Sequence, residues 1–248
     1  MGLLPVTMDL NCDLGEGEPP DRTRALIETV TSVNIACGGH AGDLSSMERC
    51  VRLAMDRGAR IGAHPGVAGA FGRGEVRIEP GALALLILHQ ASALQRVARA
   101  LGARMQHIKL HGSLYHAADA DPRLAAAYVE TVRRWFPGVR IVGRAGGRVV
   151  RVARARGVPA WEEGFLDRAY RPDGSLVPRS GEGALISDPA IIRERIADLR
   201  AGRGLVAVDG RRLPLKPVTL CVHGDSPGAL RIARLAARGL GRKSVASR

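Results

Sequence analysis

Short apolar segments recur along this chain, and each is followed by a stretch whose apolar residues repeat at helical spacing. The strand candidates are Val6–Cys12, Ser32–Cys37, Arg60–Ala63, His107–Leu110, Val139–Gly143, Val158–Glu162 and Val218–Val222. The helices between them are punctuated. Ser45-Ser46-Met47-Glu48 reads as a capping box, with Gly58 as the stop of that helix. Pro80 opens a long helix that Gly102 closes, and the glycine-rich Gly143 to Gly147 stretch begins another. Asp121-Pro122, Asp188-Pro189 and Ser226-Pro227 each place a capping side chain before a proline suited to a first helical turn. Strands that alternate with helices predict a parallel sheet, open or closed.

Polar groups decide between the two. Asp13 and Glu16, His40 and Asp43, His64, His111, then Glu163, Asp167 and Arg168, and finally His223 and Asp225 all follow strand ends. A barrel gathers every strand C-terminus at one rim, whereas an open sheet strings them along an edge. The expectation is a single α/β domain over residues 1–248, a seven-stranded parallel β/α barrel. Residues 1–7 read as an N-terminal extension and 241–248 as a basic tail.

Composition narrows the class. With 248 residues, 46% hydrophobic and only 3% aromatic, the chain can bury a large aliphatic core. The longest apolar run, Ala82 to Leu88, is too short for a bilayer, and the start has no secretory pattern. A cytoplasmic protein without a membrane partner is expected. The formal charge is +13, but the arginines are scattered, and eight aromatic residues offer little for stacking on bases. Nucleic acid is therefore not an expected partner. Cys12, Cys37, Cys50 and Cys221 have no metal-finger spacing and read as packed thiols.

The candidate chemistry sits in six motifs. Carboxylates ending a buried strand, as Asp13 does, are costly unless paired, metal-bound or hydrated in a cleft; Glu16 reads more simply as a loop acid capping the next helix. His40 and His64 each sit in a small-residue turn after a strand, where a ligand can approach the backbone. His107, Lys109 and His111 alternate onto one strand face, and a lysine there needs a carboxylate: Asp13, Asp225 or an anionic substrate. Glu163 to Tyr170 reads equally as a structural Asp167–Arg168 pair or as a substrate contact. His223 ends the last strand, next to Asp225.

Taken together, the motifs DLNCDLGEG (from Asp9), NIACGGHAGD (from Asn34), GAHPG (from Gly62), KLHGSLY (from Lys109), DRAY (from Asp167), LVPR (from Leu176) and CVHGDSPGA (from Cys221) resemble the LamB/YcsF family. The resemblance runs from Met8, a candidate initiator, to about Leu240. It implies a deacetylase-like β/α barrel that serves as the A-subunit of a bacterial ATP-dependent 5-oxoprolinase, with partner subunits B and C. The implied reaction opens 5-oxo-L-proline to L-glutamate, with ATP and Mg as co-substrate; no obligatory bound metal is expected, because the motif acids and histidines can carry protons without one. The expected catalytic residues are Asp13, His40, His64, His111 and Asp225; the expected substrate contacts are Asn11, Lys109, Tyr115, Arg168 and His223.

This chain departs from the family pattern in four places. Gly39 replaces an aromatic, Leu110 a proline and His116 an asparagine, and the segment after His64-Pro65 is shortened, without an acid before Phe71-Gly72-Arg73. No P-loop motif is present. Two rival readings remain open: a metal-dependent hydrolase or deacetylase using Asp13, His40 and His64, and a non-catalytic component of an assembly.

Overall fold

The computed structural model describes residues 8–69, 76–226 and 228–241. The expectations for residues 1–7, the 70–75 segment, Pro227 and residues 242–248 lie outside the described residues. Strands β1 (Asp9–Leu14), β2 (Ser32–Ala36), β3 (Arg60–His64), β4 (Met105–Lys109), β5 (Arg140–Arg144) and β6 (Ala160–Phe165) pair in sequence order. A short antiparallel ribbon, β7 (Leu205–Val206) and β8 (Arg212–Leu213), follows in the last long connection, and its two-residue strands gave no apolar signal. Strand β9 (Thr219–His223) then pairs in parallel with both β6 and β1 and closes the barrel. All seven expected barrel strands are present.

The helices are α1 (Pro20–Ile27), α2 (Leu44–Arg57), α3 (Pro80–Ala100), α4 (Gly112–Ala120), α5 (Pro122–Trp135), α6 (Arg148–Ala155), α7 (Pro189–Arg200) and α8 (Ala229–Gly239). Asp121 and Asp188 cap α5 and α7 as expected, and Gly58 ends α2 in the left-handed region. Two expected caps differ. The box at α2 starts at Asp43, whose carboxylate accepts from the Ser46 N–H while the Ser46 hydroxyl accepts from the Asp43 N–H. Asp43 is better placed than Ser45 because its extended backbone aims the carboxylate at the first turn. Ser226 does not cap α8; its hydroxyl donates to the buried Asp167, and α8 begins after Gly228.

Alternation along the strands sorts two kinds of burial. Leu10, Cys12, Leu14, Val33 and Ile35 are sealed with the helix faces, such as the Leu83, Ile87, Ala91, Leu94 stripe of α3. The alternate positions Asp9, Asn11, Asp13, Ser32, Asn34, His107, Lys109, Glu163 and Thr219 are buried as well, and they bond to one another across the barrel. The lumen is thus filled by a polar network in place of the usual layers of branched aliphatic side chains. Such a network is tolerable only when its donors and acceptors are matched, because each unpaired buried group costs about 1–3 kcal/mol. Gly62 makes room for it: a Cβ there would lie 2.0 Å from His107 Nε2.

Candidate functional site

The network orders itself from the bottom of the barrel upward. Asp9 accepts from the hydroxyls of Thr31, Ser32 and Thr219. Asn11 Nδ2 donates to Thr219 (2.7 Å) and to Glu163 Oε1 (3.0 Å). Its carbonyl accepts from Asn34 Nδ2, which also donates to Asp13 Oδ1 at 2.7 Å. His107 Nε2 donates to the Asn34 carbonyl at 2.7 Å, so the orientation of both amides is fixed. Burial pushes His107 down to about 4, and it stays a neutral donor.

At the rim, Lys109 Nζ stands 2.9 Å from Asp13 Oδ1, 3.0 Å from Glu163 Oε1 and 3.0 Å from Cys221 Sγ. Burial disfavours both charged forms, but the ion pair outweighs it. Lys109 is held well above its ordinary value by Asp13 and Glu163, and Asp13 well below its own by His64 and Lys109. Two protein carboxylates therefore answer the lysine, and it needs no substrate carboxylate.

Beside this cage lies a cluster that the sequence only partly disclosed. Glu16 Oε1 sits 2.8 Å from His40 Nε2, 3.5 Å from His111 Nε2 and 3.8 Å from His64 Nε2. The His40 and His111 rings stack at 3.6 Å, and His64 meets both edge-on. His64 Nδ1 donates to the Lys109 carbonyl at 2.8 Å, and its Nε2 lies 3.4 Å from Asp13 Oδ2. Burial lowers His40; it opposes protonation of His64 too, but Asp13 overrides it and raises that group. Gly66 admits the cluster, since a Cβ there would come within 2.3 Å of His40 Nδ1.

A third group faces it. His223 Nδ1 lies 3.1 Å from both oxygens of Asp167, whose carboxylate also accepts from the Ser226 hydroxyl. Asp167 is held low by His223 against the effect of its own burial. The Asp167–Arg168 pair that the sequence left open is not formed. Arg168 instead donates from Nη2 to the Val177 carbonyl, and its buried Nε–H meets no hydrogen-bond acceptor among the described residues.

A cavity of about 860 Å³ opens over these groups, with Asp13, His64, Lys109 and His111 in its floor and Phe165, Arg168 and His223 among its walls. The rim thus brings together Asp13, His40, His64, Lys109, His111, Tyr115, Arg168 and His223. Asn11 lies one layer below, sealed at 2% exposure. Asp225 stands outside the cluster and pairs with Arg179 at 3.1 Å. Sequence reasoning missed the roles of Glu16 and Glu163. The helix cap expected of Glu16 is not formed, since α1 has no side-chain cap; Glu18 instead closes the loop by accepting from the Gly15 and Glu16 N–H groups.

The LamB/YcsF family model matches residues 8–248. This chain belongs to the LamB/YcsF family. It is 43% identical over 245 residues to a Methylococcus capsulatus protein named as the 5-oxoprolinase A-subunit, covering 94% of each chain. It is also similar to the crystal structure of a lactam utilization protein from Thermus thermophilus, at 34% identity and TM-score 0.85, covering 95% of this chain and 98% of that one. An uncharacterized protein from Agrobacterium tumefaciens C58 shares 14% identity at TM-score 0.53, over 94% of this chain and 84% of its own, and so shares the fold alone. Within the family, the Gly39 departure has a local reason. A Cβ at residue 39 would lie 2.0 Å from the Gly66 carbonyl oxygen and 2.5 Å from Gln90, whose amide bonds Gly66 twice in that space. At the His116 departure, burial and then Arg168 lower the imidazole to about 4.

Proposed function

We propose that this chain is the A-subunit of an ATP-dependent, cytoplasmic 5-oxoprolinase that works with subunits B and C and converts 5-oxo-L-proline, ATP and two waters to L-glutamate, ADP and phosphate. The observation that carries this reading is the pairing of a buried Arg168, with a spare donor, and an Asp167-oriented His223 on one cavity, in a chain 43% identical to a protein named for that reaction.

A lactam is a resonance-stabilised amide with a poor leaving nitrogen. Transfer of the ATP γ-phosphoryl group to the lactam oxygen makes C5 electrophilic. Water then adds at C5, the C5–N bond breaks as nitrogen takes a proton, and a second water releases phosphate from the acyl phosphate. Arg168 holds the substrate carboxylate, since Lys109 is spent on Asp13 and Glu163. His223 carries the proton: Asp167 fixes Nδ1 as its donor side and leaves Nε2 for the substrate. Asp13, His64 and His111 line the same cavity and supply the groups that can take the proton of the attacking water.

With no P-loop in the chain, 5-oxoproline-dependent ATPase activity is expected only once B and C are added. Isothermal titration with 5-oxoproline, with and without ATP, tests the site directly. Saturable binding that Arg168→Met weakens is expected; heats unchanged by that substitution would contradict the assignment.

A further inference from the structure

We propose that Glu16, His40, His64 and His111 form a binding site for one divalent transition-metal ion of the zinc class. The four groups each offer a ligand atom, and all four atoms lie within 4.8 Å of one another. A tetrahedral ion with bonds of about 2.0–2.1 Å holds its ligands roughly 3.4 Å apart, so atoms up to 4.8 Å apart need to close by about 1.4 Å at most. Three imidazole nitrogens and one carboxylate suit zinc, cobalt or manganese better than magnesium or calcium, which take oxygen ligands.

Two further features point the same way. First, His64 Nδ1 donates to the Lys109 carbonyl. That outer bond uses Nδ1 and leaves Nε2 as the ring atom facing Asp13 and Glu16, which is the arrangement that orients histidine ligands in metal centres. Second, carboxylate oxygens surround the same place: Glu16 Oε1 lies within 3.8 Å of all three Nε2 atoms and Asp13 Oδ2 lies 3.4 Å from His64 Nε2, a setting that draws a cation.

A second grouping, Asp13, Cys221 and His223, is less suited. Lys109 Nζ already stands within 3.0 Å of both Asp13 Oδ1 and Cys221 Sγ and fills the place an ion would take. The cost at the proposed site is local: His40 and His111 stack within 5° of parallel, so one ring must tilt for both Nε2 atoms to reach one ion. His64 and His111 line the cavity, so the ion is reached from it.

The inference does not depend on the lactam reading, because binding is read without turnover. The chelated full-length protein is titrated with Co²⁺ alone, following visible d–d absorption, and with Zn²⁺ by competition against a chromophoric chelator. One equivalent per chain is expected, with d–d bands of nitrogen and oxygen ligation. Glu16→Gln and His111→Asn should each weaken binding by more than about 100-fold, beyond the 10–100-fold typical of losing an outer-shell partner. The exposed His89→Gln should bind like the wild type. Wild-type protein that takes up no stoichiometric cobalt overturns the proposal, whatever the variants do, and protonated histidines then balance the carboxylates. A thiolate-to-cobalt band in the near ultraviolet would place the ion at Cys221 and overturn it equally.

Discussion

Replacing Lys109 with Met removes the one ammonium between Asp13 and Glu163 while keeping the length of the side chain. All three groups are at most 4% exposed, so solvent offers no compensation. Breaking a buried pair from one side costs about 3–5 kcal/mol, because the remaining charge stays buried. In a chain of this size that corresponds to a fall in Tm of about 6–20 °C. The pH dependence sharpens the test. In the wild type the Asp13 pKa lies below its unfolded value, so its contribution is present at neutral pH and is lost as pH falls through the acid range. Without Lys109 the sign reverses for whichever carboxylate lacks a counter-charge: its folded pKa rises above the unfolded one, and protonation relieves the strain. The deficit of Lys109→Met should therefore narrow between pH 7 and pH 5, and adding Glu163→Gln should recover part of it at pH 7. Calorimetric melts at the two pH values measure both effects. A variant that melts with the wild type, and instead raises KM for 5-oxoproline, would refute the cage and return Lys109 to the substrate.

Other expectations are more local. Arg168→Met should raise KM for 5-oxoproline by about 10- to 150-fold, the range for a lost charged hydrogen bond of about 1.5–3 kcal/mol, with a smaller change in kcat; steady-state kinetics of the complex with B and C read it. His107 is lowered to about 4, so the unfolded chain binds its proton first, and stability drains as pH falls from about 6.5 towards 4. His107→Gln should make that acid loss shallower by about 1.4 kcal/mol per pH unit, read from urea melts across the interval; an unchanged slope would mean that His107 is protonated in the fold.

The barrel was legible because parallel strands followed by capped helices leave a strong local pattern, and because chemistry-bearing residues stood after so many strand ends. His40, His64, His111 and His223 do converge on one rim. The charge pairing was not legible. Whether Lys109 meets Asp13, Asp225 or a substrate depends on register around a closed barrel, which sets Asp13 beside Asn34 and His223, and Lys109 beside Val142. Glu16 and Glu18 look alike in a turn, yet the backbone N–H groups of Gly15 and Glu16 capture Glu18 and release Glu16 to the histidines. Asn11 and Asn34 gave no sign that they form an oriented amide chain, since only the cross-barrel distances reveal it.

The central claim is that the lactam is opened in the cavity between Arg168, His223 and the Asp13 floor. Its most direct test is glutamate release from 5-oxoproline and ATP by this chain combined with subunits B and C, with His223→Gln in parallel. ATP-dependent glutamate is expected with the wild type. The variant should show a kcat lower by about 10²- to 10⁴-fold, the usual contribution of a positioned proton carrier, with 5-oxoproline binding retained. Wild-type turnover by His223→Gln, or glutamate formed by B and C without this chain, would contradict it.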